Sequence, residues 1–184
     1  DAKLRVSMRT EIRRIQQALG ITAIYVTHDQ SEAMSISDTI IIMNQGVVAQ
    51  SGKPMEIYYH PSSEFVADFI GEANFLKGRT AGMEGGVCKV EIQGREALVE
   101  TASPVSVEQD CVIVLRPEAI RIADEGLLPC KVELSCFMGS YQNYHVRVGE
   151  TLVKIADNCP VNKRIYAVGD KAYISFEKEC AHLL

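Results

Sequence analysis

The sequence predicts an α/β segment followed by a small all-β barrel, and three features carry that reading. Residues 21–27 (ITAIYVT) are apolar or β-branched without alternation, which suits a strand buried on both faces of a parallel sheet. The residues before them repeat at a helical period, and helix, glycine, buried strand is half of an alternating α/β unit. From Glu72 onward helical periodicity disappears, and short β-rich runs alternate with Gly, Pro, Asn and Asp. The boundary falls at 71–74, giving a first domain over 1–72 and a second over 73–184.

Each element has its own local warrant. Leu4, Met8, Ile12, Ile15 and Leu19 are spaced 4, 4, 3 and 4 apart, one face of a helix over 2–19. Asp1 is placed to cap its first turn and Gly20 to end it in a left-handed conformation. Lys3, Arg5, Arg9 and Arg13 lie on other faces and read as a solvated basic side. After the strand, Asp29 and Glu32 have the spacing of an N-cap and a residue reaching back from N3, so a short helix is expected over 30–36. TIIIMNQGVVAQSG at 39–52 is a hairpin turning at Asn44-Gln45-Gly46. Pro54 opens a helix to Tyr59. Pro61 opens another, with Phe65, Val66, Phe69 and Ile70 as its apolar face. Strands are expected at 74–80, 87–93, 97–101, 111–116, 128–137, 141–148, 152–155 and 171–176.

Composition narrows the function classes. Hydrophobic residues make up 47% and charged residues 23%, so a packed globular chain is expected. With 19 basic against 24 acidic residues the net charge is −5, which disfavours unspecific nucleic-acid binding. No apolar run reaches the length of a bilayer span, and the opening stretch DAKLRVSMRTEIRR lacks the apolar centre of a secretory signal. The six cysteines (88, 111, 130, 136, 159 and 180) form no CxxC pair, so no metal site is expected. Cys111, Cys130 and Cys136 sit in apolar runs, where a reduced thiol acts as a small hydrophobe.

The functional address is the exit of the buried strand. In open α/β sheets ligands bind beyond the carboxyl ends of strands, and His28, Asp29 and Gln30 occupy that position. On spacing alone His28 is more often structural than functional. Asp29 and Gln30 read as caps of the following helix. The turn Met138-Gly139-Ser140 is an alternative anion-binding candidate through its backbone amides. Tyr141, Tyr144 and Tyr166 are candidates for base stacking, with plain packing as the competing reading.

DAKLR at 1–5, YVTHDQSEAMSISD at 25–38 and GVVAQSGKPMEIYYHPSSEFVADFIGEANF at 46–75 resemble the second half of an importer-type ATP-binding cassette (ABC) ATPase. LRPEAIRI at 115–122 resembles part of the transport-associated barrel of oligomer-binding (OB) type attached to such ATPases. The resemblance implies that 1–72 is part of a phosphate-loop nucleotide-binding domain and 73–184 an OB-like regulatory barrel. It implies that His28 is the switch histidine that meets the γ-phosphate or attacking water of ATP. It also implies that Asp1 belongs to a loop crossing a dimer interface, and that ATP and Mg2+ serve the complete enzyme. For Arg116 and Glu118 it implies regulatory contacts, a solvated turn being the competing reading. The partners it implies are a second copy of the subunit, transmembrane permease subunits and, indirectly, an external solute-binding protein, on the cytoplasmic face of the membrane. FIGEANFL at 69–76 is similar to ATPases of ferric-iron, polyamine or phosphonate uptake.

The sequence contains no GxxxxGK[ST], no LSGGQ signature, and no apolar strand ending in the acidic ligands of magnesium. This chain alone is therefore expected to be inactive and to bind no nucleotide of its own. An apolar strand lacking its neighbours has an open edge, so altered packing or exchange of elements with a second copy is expected. The competing function is a non-enzymatic module that senses a small oxyanion or dimerises.

Overall fold

The computed structural model describes residues 2–101 and 104–184, which divide into two compact units at Gly71–Glu72. In the first unit, α1 (Ala2–Leu19) ends where Gly20 adopts φ +61° and its N–H returns to the Gln16 carbonyl at 3.0 Å. It is followed by α2 (Gln30–Ile36), a hairpin of β1 (Ile40–Asn44) and β2 (Val47–Gly52), α3 (Pro54–Tyr59) and α4 (Glu64–Phe69). Gln45 and Gly46 both take positive φ, 49° and 84°, as a two-residue turn matching strand twist requires. A small core gathers Ile40 and Ile42 from β1, Ile57 from α3, and Val66 and Ile70 at α4. The cap of α4 is Ser63, whose side chain accepts from the Val66 N–H, and not Pro61. Of the four residues assigned to its apolar face, Val66 and Ile70 are buried. Phe65 and Phe69 instead stack on each other at 5.5 Å on the outside.

The expected buried strand at 21–27 is not formed. These residues pair with no other strand among the described residues, and Ile24 and Val26 are 93% and 91% exposed. The cause is physical. An apolar run records a capacity for burial, and the sheet of this unit, β1 with β2, pairs only within itself and offers 21–27 no ladder. The apolar stripe of α1 is likewise exposed at Leu4, Met8, Ile12, Ile15 and Leu19. Helix α1 is held instead by charge. Arg9 bonds Asp29 at 2.7 Å, and Arg13 makes a two-pronged contact with Asp38 at 2.5 and 3.0 Å. Arg9 and Arg13 are therefore not on a merely solvated side. Their partners lie 20 and 25 residues away.

The second unit is all β. One antiparallel sheet has the order β12-β6-β3-β4-β5, built from β3 (Asn74–Glu84), β4 (Val87–Ile92), β5 (Arg95–Glu100), β6 (Asp110–Leu115) and β12 (Ala181–Leu183). The other has the order β10-β9-β8-β11-β7, from β7 (Ile120–Ala123), β8 (Leu128–Phe137), β9 (Tyr141–Val148), β10 (Thr151–Asn158) and β11 (Lys171–Phe176). All eight expected strands are present, several of them longer. The short β7 and β12 are additional. One core joins both sheets, with Leu76, Val90, Ile113 and Leu115 meeting Leu128, Val132, Val146, Ile155 and Ile174. Tyr144 and Tyr166 belong to this core, edge to face at 6.3 Å, so neither is available for stacking on a base.

Two local devices fit the sequence to this fold. Gly78 lies where a Cβ would stand 2.6 Å from Val90 Cγ1 and 2.9 Å from the Glu91 carbonyl oxygen, so β3 and β4 approach too closely there for any side chain. Glu133 is the extra residue of a bulge between β8 and β9. Its carboxylate takes a two-pronged bond from Arg147, both contacts at 2.9 Å, which holds its carboxyl below the usual range. Cys88, Cys111 and Cys130 are buried as small hydrophobes, whereas Cys136, read as another, is exposed. Among the described residues no helix is long and apolar enough to cross a membrane.

Candidate functional site

The candidate site is the turn into α2, where bonds spanning two to seven residues build most of the geometry. The Asp29 N–H donates to Thr27 Oγ1 at 2.9 Å, closing a turn around His28. Asp29 Oδ1 then accepts from the Glu32 N–H at 3.1 Å, the side-chain cap its spacing predicted. Glu32 does not return to the cap backbone. Its Oε2 accepts from Thr27 Oγ1 at 2.7 Å and from the Tyr25 hydroxyl at 3.2 Å, and the latter bond raises the Tyr25 phenol above its ordinary pKa. Arg9 adds Nη2 to Asp29 Oδ2 at 2.7 Å and stands 3.7 Å from Glu32 Oε1. Gln30, read as a cap, instead donates its side-chain amide to the Phe69 carbonyl at the end of α4.

His28 sits exposed between these two anchored neighbours. The backbone is tied down at Thr27 and at Asp29, while no hydrogen bond or ion pair to another described residue holds the imidazole. Chemically this is a donor and acceptor carried on a fixed pedestal, free to turn toward something outside the chain.

The remaining predicted residues are not brought to this turn. Asp1 lies outside the described residues. Arg116 is buried in the second unit, where Nη1 donates to the Glu72 carbonyl at 3.1 Å. It faces its own barrel and presents no cation at the surface of the unit, while Glu118 is exposed on a turn of 3-10 helix. In the turn at Gly139, the Met138 N–H is already spent on the Tyr141 carbonyl at 2.9 Å. Sequence reasoning missed Arg9 at the His28 turn, because its partners are distant in the chain and only its basic character was visible. Among the described residues no group of three His, Cys, Asp or Glu side chains converges as a metal site.

Comparison with known proteins supplies the context. Residues 113–184 match the TOBE domain family. The chain is 36% identical to the spermidine/putrescine import ATP-binding protein PotA of Pseudomonas fluorescens, over 100% of this chain and 51% of that protein. It is 40% identical to the Fe(3+) ions import ATP-binding protein FbpC of Rhizobium etli, over 86% of this chain and 45% of that protein. A solved structure of the cytoplasmic molybdate-binding protein ModG, molybdate bound, superposes with a TM-score of 0.51 at 14% identity, covering 60% of this chain and 94% of that one. That likeness is one of fold, and it agrees with an OB-like second unit. The chain spans about half the length of the curated relatives it matches. With the TOBE match in its second unit and the similarity running through both units, the chain is similar along its whole length to about half of an import ATP-binding protein.

Proposed function

We propose that this chain is a section of the ATP-hydrolysing subunit of an importer, with residues 1–72 in its nucleotide-binding domain and 73–184 as its regulatory barrel. The observation that carries this reading is the similarity over the whole chain to import ATP-binding proteins. The geometry of the His28 turn fits it. In the complete subunit His28 is the catalytic residue of this segment, donating a ring N–H to an oxygen of the γ-phosphate or to the attacking water. Phosphoryl transfer spreads negative charge over those oxygens, and a fixed donor stabilises that charge without reorganising. The described residues offer no cluster fit to hold magnesium, so no step through the metal is derived from this chain. ATP and Mg2+ are assigned to the complete subunit.

The proposed cargo is a polyamine or ferric iron, the solutes in the names of the relatives. The proposed partners are a second copy of the subunit, membrane permease subunits and an external binding protein, at the cytoplasmic face. Asp1 is assigned to the contact with the second copy. Glu118 is proposed as the exposed regulatory contact, with Arg116 supporting its turn from within. No oxyanion site is inferred from the likeness to ModG.

The test is magnesium-dependent ATP hydrolysis by a polypeptide extending this segment to the length of its relatives, beside the 184-residue chain. The longer protein should turn over ATP and lose at least about 100-fold in kcat on His28→Ala, with KM little changed. The 184-residue chain should show no turnover. A longer protein without ATPase activity, or one whose kcat is indifferent to His28→Ala, would sink the proposal.

A further inference from the structure

We propose that Arg9 is a positioning residue for His28, holding its turn against α1 through Asp29. The inference rests on the assignment of His28 given above. Asp29 divides its carboxylate between two tasks. Oδ1 caps α2 without assistance, so helix capping does not require Arg9. Oδ2 accepts from Arg9 Nη2, and this bond crosses 20 residues to join α1 to the residue directly after His28. The residue directly before it, Thr27, is joined to Glu32, which Arg9 also faces. One guanidinium thus stands behind both flanks of the histidine.

The burial of Arg9 says that this arrangement has a cost. Its side chain is 15% exposed, and its Nε is buried with no hydrogen-bond partner among the described residues. An unsatisfied buried donor is destabilising, so simple packing would favour a shorter or apolar side chain at that place. What an arginine adds is a rigid planar fork aimed at a carboxylate. A lysine reaches with a flexible stem and a point charge. The apolar stripe of α1 is largely exposed, and the Arg9–Asp29 ion pair is a side-chain bond that ties α1 to the turn.

Two measurements test the inference, and they separate its failure from that of the assignment of His28. In the 184-residue chain, Arg9→Gln and Arg9→Lys are compared by amide hydrogen exchange at Asp29 and Glu32, whose N–H groups close the turn. Arg9→Gln should speed exchange there by about tenfold or more, with Arg9→Lys intermediate and the amides of residues 74–184 unchanged. Unchanged exchange at both amides would overturn the inference whatever His28 does. In the longer, active protein, Arg9→Gln should lower kcat by roughly 10- to 100-fold at nearly constant KM. It should cost nothing further in a His28→Ala background. A full additional loss in that background would show that Arg9 acts apart from His28 and would also overturn it. If His28→Ala alone leaves kcat intact, the assignment of His28 fails and this inference about catalysis fails with it, while the exchange result still reports on the joint.

Discussion

Asn74 and Lys154, 80 residues apart, pair as two strands would. Asn74 Nδ2 donates to the Lys154 carbonyl at 2.9 Å, and the Lys154 N–H donates to Asn74 Oδ1 at 2.7 Å. The side-chain amide, 3% exposed, also donates to the Leu115 carbonyl at 3.3 Å. One asparagine therefore stitches β3, in one sheet, to β10, in the other. It satisfies backbone groups of β10 that its own sheet leaves unpaired on that side.

Removing this stitch leaves polar groups buried without partners, which costs more than the bonds are worth in themselves. Asn74→Ala should lower stability by about 2 to 4 kcal/mol in urea unfolding of residues 72–184 within the intact chain. Asn74→Leu should be no better, since filling the volume does not supply the donor and acceptor. A change under about 0.5 kcal/mol would mean that water replaces the amide there.

Gly78→Ala tests the close approach of β3 and β4. The new methyl meets backbone at Glu91 as well as the Val90 side chain, so rotamer changes alone do not relieve it. A loss of about 1 to 3 kcal/mol is expected by equilibrium unfolding. Gly82, which has open space around it on the same strand, should accept alanine with little effect.

The alkaline limit of stability should depend on Tyr166. Burial, and then its hydrogen bond to Asp124, push the Tyr166 phenol up to about 12 from an ordinary value of 10.0. Between those values the unfolded chain releases a proton that the folded chain retains. The contribution is complete below pH 10 and is lost as pH rises through the folded-state value. Tyr144, raised by burial, acts in the same sense. Tyr166→Phe should flatten the fall in melting temperature above pH 10, and an unaltered slope would count against the assignment.

Thiol chemistry should divide the cysteines in half. Cys136, Cys159 and Cys180 are exposed and should label within minutes at pH 8, as followed by mass spectrometry. Cys88, Cys111 and Cys130 should wait for opening of the barrel, Cys130 most of all because burial lifts its thiol to about 11. Early labelling at any of these three would contradict the packing described.

What could be read in advance followed the distance over which each feature is encoded. The helix over 2–19, the Asp29 cap of Glu32 and the turn at Gln45-Gly46 are written within a few neighbours and appear as expected. The bonds of Arg9 and Asn74 join positions 20 and 80 apart, and nothing beside either residue announces its partner. Residues 21–27 failed for another reason. Their composition states what they would bury if a sheet were present, and the hairpin of their own unit cannot provide one. The turn that carries His28 is built by the Thr27–Asp29–Glu32 bonds in the absence of that sheet.

The bare stretch Ile21–Val26 also governs how the molecule survives in a tube. Six residues without charge, proline or glycine have the makeup of a dry zipper between copies. Two such stretches meet more often as the solution is concentrated. Shelf life should therefore be set by dilution more than by temperature, and a single lysine at Ile24 should extend it without touching the His28 turn.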